Sequence, residues 1–456
     1  MLHDVPIDRY AYPVVSPDAV PTAASSEASK RKSGFRILIA TFGSLGDLHP
    51  YMALGLGLRA RGYQVSIATL GAYRQKVEAV GLGFYAVRPD LSDFGADPDM
   101  IKKAMDLRTG TRYLLENMIL PHLQASYQDL LAASYQSDFL ISHPATFAVP
   151  IIATQRGLPW AASSLAPLSL ASCYDPPLIS SALWLRYFQA LGPMANRLLL
   201  ALFRQQSKSW IRPIATLRRL AGVETVLGHP FFEGQFSPLL NLALFSPLFG
   251  PPQPDWPAHT LATGFQFMHS DPQSTPLEPA MEDFLAKGDP PIVFTLGSTA
   301  VMTPGNFYFI AAEATRQIGR RAVLLAGPAA DKFQSGFDNV FACAYAPHAA
   351  VFRRAAVVVH QGGVGTTAEA LRSSKPMLVV PFSHDQPDNG RRICRLGSGM
   401  MLPRHQFTTK AVAACLEKLL NSSAMASRAV QIGNAIHQEN GVQTACDAIE
   451  KIFQAA

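Results

Sequence analysis

Cysteine is scarce in this sequence: the 456 residues contain only five, and no two of them form a C-x-x-C pair. This usage excludes a disulfide framework and shows no zinc-type spacing, so a reducing, cytoplasmic compartment is expected. Long apolar runs are missing as well. Without about 20 uninterrupted apolar residues, no segment is expected to span a membrane, although peripheral contact with the inner membrane face stays open.

A strong excess of charge of one sign is also missing. The 39 Lys and Arg residues against 33 Asp and Glu leave a net charge of +6, with no long basic block. This balance argues against a nucleic-acid partner. The small basic excess would suit an anionic nucleotide or an anionic lipid surface, but ordinary solubility is the simpler explanation.

The composition instead describes a chain with a large buried interior, because 48% of its residues are hydrophobic and 16% are charged. Its length suits two domains of roughly 200 residues each. Residues 1–34, rich in Pro, Ser, Ala and Asp and without a signal pattern, are predicted to form a disordered leader. A first domain is expected over 35–250, a proline-dense linker over 251–260, and a second domain over 261–456.

Short strand-type apolar runs alternate with helical spacing in both halves of the chain. The first strand is followed by a predicted loop over 42–47 and a helix that begins near Pro50 and runs to 61, and residues 297–299 are expected as a loop in the second half. This rhythm predicts an α/β protein with two Rossmann-like, doubly wound parallel sheets that face a cleft at the strand C-termini. The last helix, over 441–453, is amphipathic and could pack back on the first domain.

Residues 176–220 have a different pattern. They are predicted to be helical, and 178–203 are heavily apolar but interrupted by Arg186, Gly192 and Arg197. Core packing and an apolar wall for a greasy acceptor, close to a membrane surface, are both consistent with this composition.

A glycine cluster, His360 to Thr367, follows an unbroken strand-type run and opens a helix from about Thr366. Backbone N–H groups at a helix N-terminus bind phosphate, and glycines let the backbone approach the anion closely. A tight strand-to-helix turn would explain the glycines equally well. The cluster is neither a Rossmann G-x-G-x-x-G fingerprint nor a Walker A motif, which argues against hydride transfer and ATP hydrolysis.

Polar and aromatic residues on both sides of the cluster favour a nucleotide-sugar site. Upstream, Tyr345 and His348 supply an aromatic plane and a polar ring suited to a nucleobase. Downstream, Asp385 and Gln386 follow a strand-type run and carry the groups that grip sugar hydroxyls. Base, phosphate and sugar functions thus follow one another along the chain.

These motifs resemble those of family 1 glycosyltransferases with the GT-B fold, particularly bacterial rhamnosyltransferases of glycolipid synthesis and sterol or macrolide glucosyltransferases. The likeness extends from about residue 35 to the end and is carried by residues 41–50 (TFGSLGDLHP), 294–298 (FTLGS), 345–348 (YAPH), 359–369 (VHQGGVGTTAE) and 381–386 (PFSHDQ). It implies an inverting, metal-independent hexosyltransferase with a UDP- or dTDP-sugar as co-substrate. The implied acceptor is hydrophobic: a lipid, a sterol or a polyketide- or flavonoid-like molecule.

The resemblance also assigns donor-binding roles by position. It implies that Ser298 touches the diphosphate, Tyr345 and His348 hold the nucleobase, Glu369 reaches the ribose, Asp385 and Gln386 hold the sugar, and Gly362, Gly363, Gly365 and Thr366 cradle the phosphates. The family's phosphate-binding His aligns with Gln361, while His360 ends the strand. A Gln amide donates to phosphate without the charge of an imidazolium, so either residue could do this job.

Inversion requires a base that deprotonates the acceptor hydroxyl, and three residues are candidates. Asp47 stands where plant members of the family carry His. Beside an apolar cleft its pKa is expected to be raised, although it could instead be only the N-cap of the next helix. His143 follows the strand over 138–142, where plant members carry Asp, so Asp47 and His143 would form the plant dyad with its residue types exchanged. His49 is third, because it is expected to point along the helix start.

A metal site, an epimerase and a scaffold protein each fit the sequence less well than a metal-independent transferase. Asp97-Pro98-Asp99 matches the D-x-D spacing of metal-dependent transferases, but it lies far from the donor motifs, and no metal is expected. A nucleotide-sugar epimerase shares the fold but needs no apolar wall. A non-catalytic activator or scaffold of a glycosyltransferase tends to lose the donor motifs, which this chain retains. The sequence leaves the sugar, the nucleotide, the acceptor and the oligomeric state open.

Overall fold

The computed structural model describes residues 34–90, 98–223, 228–268, 277–333 and 337–455. The predicted leader, apart from Gly34, lies outside these residues, and so does Asp97 of the D-x-D match.

The first half of the chain forms a seven-stranded, all-parallel sheet in the order β3-β2-β1-β4-β5-β6-β7. Its strands are β1 Arg36–Ala40, β2 Gln64–Thr69, β3 Gly83–Ala86, β4 Phe139–Ser142, β5 Trp160–Ser164, β6 Asn241–Ala243 and β7 Thr260–Ala262. Its helices are α1 Leu45–Ala60, α2 Arg74–Ala79, α3 Pro98–Ala104, α4 Gly110–Tyr113, α5 Leu123–Ser134, α6 Ala148–Arg156, α7 Arg186–Gln189, α8 Pro193–Gln206 and α9 Arg212–Leu220.

The second half forms a six-stranded parallel sheet in the order β10-β9-β8-β11-β12-β13. Its strands are β8 Ile292–Thr295, β9 Ala322–Leu325, β10 Val340–Cys343, β11 Val357–His360, β12 Met377–Val379 and β13 Gly399–Met401. The helices are α10 Pro279–Ala286, α11 Gly297–Ala300, α12 Phe307–Gln317, α13 His348–Phe352, α14 Val364–Arg372, α15 Gln386–Leu396, α16 Thr409–Leu420, α17 Ser423–Gln438 and α18 Gly441–Ala455.

The central strands are buried along their whole length, because helices cover both faces of each sheet. All four residues of β8 and of β11 are buried, as are all residues of β4 and β5. Continuous burial of this kind is characteristic of parallel sheets in α/β proteins. The prediction of two Rossmann-like domains is therefore confirmed.

The two sheets have the same strand order. In each, the order reverses between the strand that comes first in the chain and the one that comes fourth. The reversal lies between β1 and β4 in one sheet and between β8 and β11 in the other. Ligands of such sheets bind in the crevice beyond the strand C-termini at this point. The fold therefore singles out four loops, one after each of these strands.

The predicted linker is wrong in position. Strand β7 pairs in parallel with β6 in the first sheet, with Asn241 opposite Thr260 and Ala243 opposite Ala262. The proline-dense residues 251–260 therefore connect two strands of one sheet, and the chain passes to the second domain after Ala262. Proline density marks extended chain but carries no information about which sheet the next strand joins.

The C-terminal helix α18 packs on the first domain. Glu450 accepts hydrogen bonds from Arg61 at 2.8 Å and from the Tyr63 hydroxyl at 3.0 Å. The ring of Phe453 lies 4.3 Å from that of Phe35 and 4.9 Å from that of Phe139. The end of the chain thus ties the two domains together on the side away from the strand C-termini.

Candidate functional site

The four loops at the two reversal points meet in the cleft between the domains. The closest approach joins the N-termini of α1 and α14, where a Cβ added to Gly365 would lie 3.3 Å from the Cα of Gly46. The positive ends of two helix dipoles and their free N–H groups therefore converge on one region. Such an arrangement is suited to an anion that carries more than one charge.

Helix α1 begins at Leu45, ahead of the predicted start near Pro50, because Ser44 and Asp47 form a capping box. The Ser44 hydroxyl accepts from the N–H of Gly46 at 3.2 Å, and Asp47 Oδ2 accepts from the N–H of Ser44 at 2.8 Å. This reciprocal arrangement satisfies donors that a helix start leaves free. Asp47 is thus the third residue of the first turn and not the N-cap, and Pro50 lies inside the helix.

The other oxygen of Asp47 faces His143. Asp47 Oδ1 lies 3.7 Å from His143 Nε2, and the imidazole is largely buried. Nδ1 of His143 accepts a hydrogen bond from the N–H of Ala145 at 3.1 Å. A neutral imidazole with an accepting Nδ1 carries its proton on Nε2. The proton of His143 therefore points at Asp47.

The expectation of a raised pKa for Asp47 is wrong. Burial does raise it, but hydrogen bonding and charge interaction with His143, together with the contacts to Ser44, outweigh burial and leave the pKa of Asp47 below its usual range. Asp47 is therefore ionised at neutral pH. The third base candidate, His49, lies instead near His348 of the second domain, whose pKa is lowered to about 4 chiefly by burial and further by His49.

His360 ends β11 and turns its ring into its own loop. Its Nδ1 accepts from the N–H of Gly362 at 3.1 Å, and burial lowers the pKa of His360 to about 3. The imidazole is therefore uncharged at neutral pH. Gly362 allows this turn because its φ is +92° and a Cβ there would lie 2.7 Å from Val379; only glycine fits such a position without strain.

Gln361 reaches into the space between two helix starts. A Cβ on Gly363, the N-cap of α14, would lie 2.8 Å from Gln361 Nε2, and one on Gly297 would overlap the same nitrogen. Ser298 is exposed on this side, in the short helix α11, where a loop was predicted. Because Gly297 has φ +66°, the chain turns sharply after β8 and α11 begins without an intervening loop.

Several buried polar atoms around the glycine loop have no partner within the protein. They are His360 Nε2, Gln361 Oε1, Thr367 Oγ1 and Asn389 Oδ1. Buried polar atoms are rarely left without a hydrogen bond, so a cluster of them calls for an explanation. Thr366, at the start of α14, is also buried. The loop thus offers more hydrogen-bonding capacity than the protein itself uses.

The two residues assigned to the nucleobase are placed differently. Tyr345 is 69% exposed at the loop after β10. The ring of His348 stacks on Phe352 with centroids 4.7 Å apart, and its Nε2 lies 3.4 Å from the hydroxyl of Thr295 at the end of β8. His348 is therefore directed towards the glycine loop, while Tyr345 presents its ring to the cleft.

Glu369 lies on α14 and is paired with Arg372 at 2.9 Å. The guanidinium of Arg372 lies 3.9 Å from the ring centroid of Phe267. Burial raises the pKa of Glu369, and Arg372 opposes this shift. The carboxylate is thus held in place by a partner that is itself fixed by a cation–π contact.

Asp385 and Gln386 begin α15 beside the glycine loop. Gln386 Oε1 accepts from the N–H groups of Phe382 and Ser383 at 2.8 and 3.0 Å, so its carbonyl end holds its own loop. Asp385 Oδ2 accepts from Asn389 at 2.7 Å, and Asn389 also donates to the carbonyl of Gly362 at 2.8 Å. Asn389, to which the sequence analysis gave no role, thus joins the loop over 381–386, which was predicted to hold the sugar and is called the sugar loop below, to the glycine loop.

His384, another residue given no role, bridges the two domains. Its Nδ1 lies 3.1 Å from the hydroxyl of Thr111 in α4. His384 has a φ of +56°, a left-handed conformation that costs a non-glycine residue on the order of 1 kcal/mol. Burial lowers its pKa to about 4, while the charge of Asp47 opposes the shift. A strained residue between both domains is typical of a functional cleft.

A buried ion cluster also joins the domains, and sequence reasoning missed it. Arg392 of α15 donates to Asp388 at 2.7 Å and to Asp175 of the first domain at 2.5 Å, and Asp388 also accepts from the N–H of Leu178 at 2.9 Å. Arg392 is 1% exposed and Asp388 is fully buried. Burial lowers the pKa of Arg392, but both carboxylates more than offset it, so the guanidinium stays charged. The only signal in the sequence was the position of Asp388, two residues after the 381–386 motif.

A small apolar cavity of about 30 Å³, with room for about one water molecule, lies in the first domain at the C-terminal ends of β1, β2 and β3. Its walls include Phe42, Leu70, Leu123 and Phe147. Thr41, also in its wall, donates its hydroxyl to the carbonyl of Asp47 at 3.2 Å. The cavity therefore begins next to the Asp47–His143 pair.

The stability of the protein should fall with rising pH because of Asp385. Burial raises the pKa of Asp385 to about 7, with Asn389 opposing the shift and Asp47 adding to it, against 3.8 for the ordinary group. Between these values the folded state holds a proton that the unfolded state releases. This contribution is therefore complete below pH 3.8 and is lost as the pH rises to about 7, by up to ~1.4 kcal/mol per pH unit.

Urea unfolding of the wild type and of Asp385→Asn between pH 5 and 8 checks this expectation. The free energy of unfolding of the wild type should decline relative to the variant as the pH rises to 7. Asp289→Asn, at a side chain that is 78% exposed, serves as control and should keep the wild-type slope. Equal slopes for wild type and Asp385→Asn would contradict the prediction.

Two protein families match this chain, one in each of its two domains. Residues 37–171 match the family described as "Glycosyltransferase family 28 N-terminal domain". Residues 323–447 match "Erythromycin biosynthesis protein CIII-like, C-terminal domain". The two matched segments contain β1, β4, the glycine loop and the sugar loop.

Full-length relatives agree with these matches. The O-mycaminosyltylonolide 6-deoxyallosyltransferase of Streptomyces fradiae is 33% identical over 91% of this chain and 97% of its own length. A sterol 3-beta-glucosyltransferase of Arabidopsis thaliana is 24% identical over 91% of this chain and 68% of its own length. The solved structure of the calicheamicin glycosyltransferase CalG4 has a TM-score of 0.68 at 17% identity, covering 92% of this chain and 98% of that one. At 17% identity, the similarity to CalG4 shows only that the two chains share a fold.

Proposed function

This chain belongs to the GT-B glycosyltransferases, and we propose that it transfers a hexose of the glucose or rhamnose type from a UDP- or dTDP-linked donor to a hydroxyl of a hydrophobic acceptor, with inversion. The observation that carries the proposal is the Asp47–His143 pair, which lies at the start of α1, where Gly46 approaches Gly365 of the glycine loop. The pair supplies a base on one side of the cleft, and the loop supplies an anion site on the other.

Asp47 is the base in this proposal and His143 positions it. The proton on His143 Nε2 faces Asp47, and the Nδ1 lone pair is used by Ala145. The imidazole therefore has no lone pair free for an acceptor hydroxyl. Asp47 keeps its charge at neutral pH and is a weak base, so it takes the proton late, as the acceptor oxygen bonds to the anomeric carbon and becomes acidic.

The leaving diphosphate is stabilised by neutral donors and helix ends. The N-termini of α1 and α14 converge near Gly46 and Gly365, and Gln361 Nε2 lies between the starts of α11 and α14. Gln361 is therefore assigned the phosphate contact, while His360 shapes the loop through Gly362. Helix dipoles and N–H groups bind phosphate without a metal, and metal-independent transfer is part of the proposal.

The remaining donor contacts follow from the groups left accessible. Tyr345 offers its exposed ring to the nucleobase, and Glu369, held by Arg372, is placed for the ribose. The Gln386 carbonyl is engaged by its own loop, so its NH₂ group is the part assigned to the sugar, beside Asp385. Bond formation at the anomeric carbon releases the nucleoside diphosphate and passes the acceptor proton to Asp47.

The acceptor is assigned to the cleft beside Asp47, since the nearby cavity of about 30 Å³ is too small for a lipid, a sterol or a macrolide. The aromatic and aliphatic residues around that cavity can contact one apolar edge of the acceptor, while Asp47 meets a projecting hydroxyl. The names of the relatives, which refer to a macrolide precursor and to sterols, support the same class. A macrolide lactone and a sterol are therefore the first acceptors to assay.

Nucleotide binding tests the proposal directly. The Tm should rise by several degrees with dTDP or UDP at millimolar concentration and less with GDP, and the rise should persist in EDTA. Transfer to the macrolide or sterol probe should then follow with the corresponding donor sugar. A shift that EDTA abolishes would contradict metal independence. No shift with any nucleotide would favour a non-catalytic scaffold.

A further inference from the structure

Exposed large apolar side chains are concentrated in one part of the first domain. Eight of the fifteen such residues in the described part of the chain fall between positions 174 and 220. They are Tyr174, Trp184, Tyr187, Leu191, Met194, Leu198, Leu202 and Leu220. Scattered exposed apolar residues are ordinary, whereas a contiguous group marks a surface that binds something.

Three of these exposed residues lie on helix α8. Met194, Leu198 and Leu202 are spaced by four residues, so they lie on one face, and they are 86%, 63% and 58% exposed. The opposite face carries Asn196, which is buried and donates to the carbonyl of Cys173 at 3.0 Å. The helix thus lies flat on the domain with an apolar stripe directed outwards.

The charged residues within the segment that carries the stripe have one sign. Residues 176–223 contain no Asp or Glu, but they contain seven basic residues: Arg186, Arg197, Arg204, Lys208, Arg212, Arg218 and Arg219. Arg197, Arg204 and Lys208 lie along one edge of the stripe, since they are spaced by seven and four residues. The acid that faces this edge is Glu233, which accepts from Arg204 at 2.7 Å.

We propose that this surface, residues 184–208, docks on an anionic lipid bilayer, with α8 lying in the plane of the interface. A helix with a long apolar stripe and basic flanks binds at the headgroup boundary, where apolar burial and attraction to anionic lipid act together. No helix among the described residues is long and apolar enough to cross a membrane. The proposed contact of α8 is therefore with the membrane surface.

The same charges argue against a second copy of the chain as the occupant. A two-fold dimer would bring the stripe of one copy against the stripe of the other. The basic edges would then face each other, and their repulsion would oppose the gain from apolar burial. An anionic surface satisfies both the stripe and its edges.

Vesicle sedimentation tests the proposal with the full chain. Vesicles of phosphatidylcholine alone and with 30% phosphatidylglycerol (roughly the anionic content of a bacterial leaflet) are compared at low and high salt. The wild type should pellet with the anionic vesicles and be released by high salt. Met194→Gln/Leu198→Gln/Leu202→Gln should lower the partition constant at least about tenfold, and Arg197→Gln/Lys208→Gln several-fold.

Matched substitutions elsewhere separate the surface from a general loss of apolar area or charge. Met302→Gln/Val430→Gln removes exposed apolar side chains of the second domain, and Lys410→Gln/Lys451→Gln removes exposed charges. Both should bind vesicles like the wild type, and every variant should keep the wild-type Tm within about 2 °C.

Three results would overturn the proposal. Binding by the α8 stripe variant equal to that of the wild type would show that the stripe is not the contact. Equal binding to vesicles without anionic lipid would remove the role of the basic edge. A wild type that ignores both vesicle types, but forms a dimer that the stripe variant does not form, would assign the surface to a second copy.

Discussion

Asp47→Asn is expected to lower kcat by about 10³-fold and to leave nucleotide affinity within about threefold of the wild type. General bases typically contribute between 10² and 10⁴ in rate. Asn keeps the shape of Asp and can still accept the hydrogen bond from the N–H of Ser44, so helix α1 should keep its cap. Only the charge and the basicity of the side chain change.

Two further variants separate catalysis from capping and from positioning. Ser44→Ala removes the other half of the capping box and should cost about 1 kcal/mol of stability with little effect on kcat. His143→Ala should lower kcat by about 10- to 100-fold, because Asp47 loses the group that orients it but remains a base. Initial rates and dTDP or UDP titrations on all three variants provide the measurement.

The outcome of this series assigns the base. Asp47→Asn with more than a tenth of wild-type turnover, or His143→Ala with the larger loss, would contradict the assignment and make His143 the base. A second readout is the pH profile of kcat. If His143 only positions Asp47, the variant at 143 should keep an acidic limb set by Asp47, whose pKa is lowered in the folded protein largely by His143; the limb should therefore move to higher pH.

Arg392→Met is expected to cost about 3–5 kcal/mol in the free energy of unfolding. Arg392 lies between Asp388 and Asp175, whose side chains are 0% and 8% exposed. Met fills similar volume but leaves these carboxylates short of their partner in a buried site, and removal of one member of a buried ion pair carries a penalty of this size. Urea unfolding followed by circular dichroism measures the loss.

A matched control exists on the same helix. Arg395 donates to the same Asp175 at 2.8 Å, but its side chain is 48% exposed, so Arg395→Met should cost less than about 1 kcal/mol. Adding Asp388→Asn to Arg392→Met should recover part of the loss, because it removes a buried charge that is then left with Arg391 as its remaining ion-pair partner at 2.7 Å. Similar costs for Arg392→Met and Arg395→Met would show that the cluster adds nothing beyond a surface ion pair.

The cluster also has a consequence for the site. Helix α15 starts at Gln386, directly after Asp385, and Arg392 ties it to the segment of the first domain that leads into α7 and α8. The sugar loop is therefore held in register with the first domain by charged contacts that lie only two turns away along the same helix.

Strand positions and the identity of the cleft loops could be predicted from the sequence because they depend on local pattern. The strand before the glycine cluster was expected from its unbroken apolar run, and β11 is indeed buried along its whole length. The loops after β1, β4, β8 and β11 were singled out because parallel strands linked by helices place their C-termini at one edge.

Several local features were predicted wrongly for identifiable reasons. The start of α1 was set by Pro50, whereas the capping box of Ser44 and Asp47 starts it earlier. Residues 297–299 begin a helix because Gly297 adopts a positive φ, which composition does not reveal. The pKa of Asp47 was judged from burial alone, and the opposing contribution of His143 depends on a contact across 96 positions of chain.

The sequence by itself determined the fold class, through strand periodicity, and the family, through its motifs, and it singled out the glycine loop as a candidate anion site. Only the tertiary structure decided which oxygen of Asp47 faces His143, how closely Gly46 approaches Gly365, and that Asp175 pairs with Arg392 across 217 residues. These features depend on distances of a few ångströms between elements that are remote in the chain. Such distances are set by the packing of the two domains against each other and not by any local pattern.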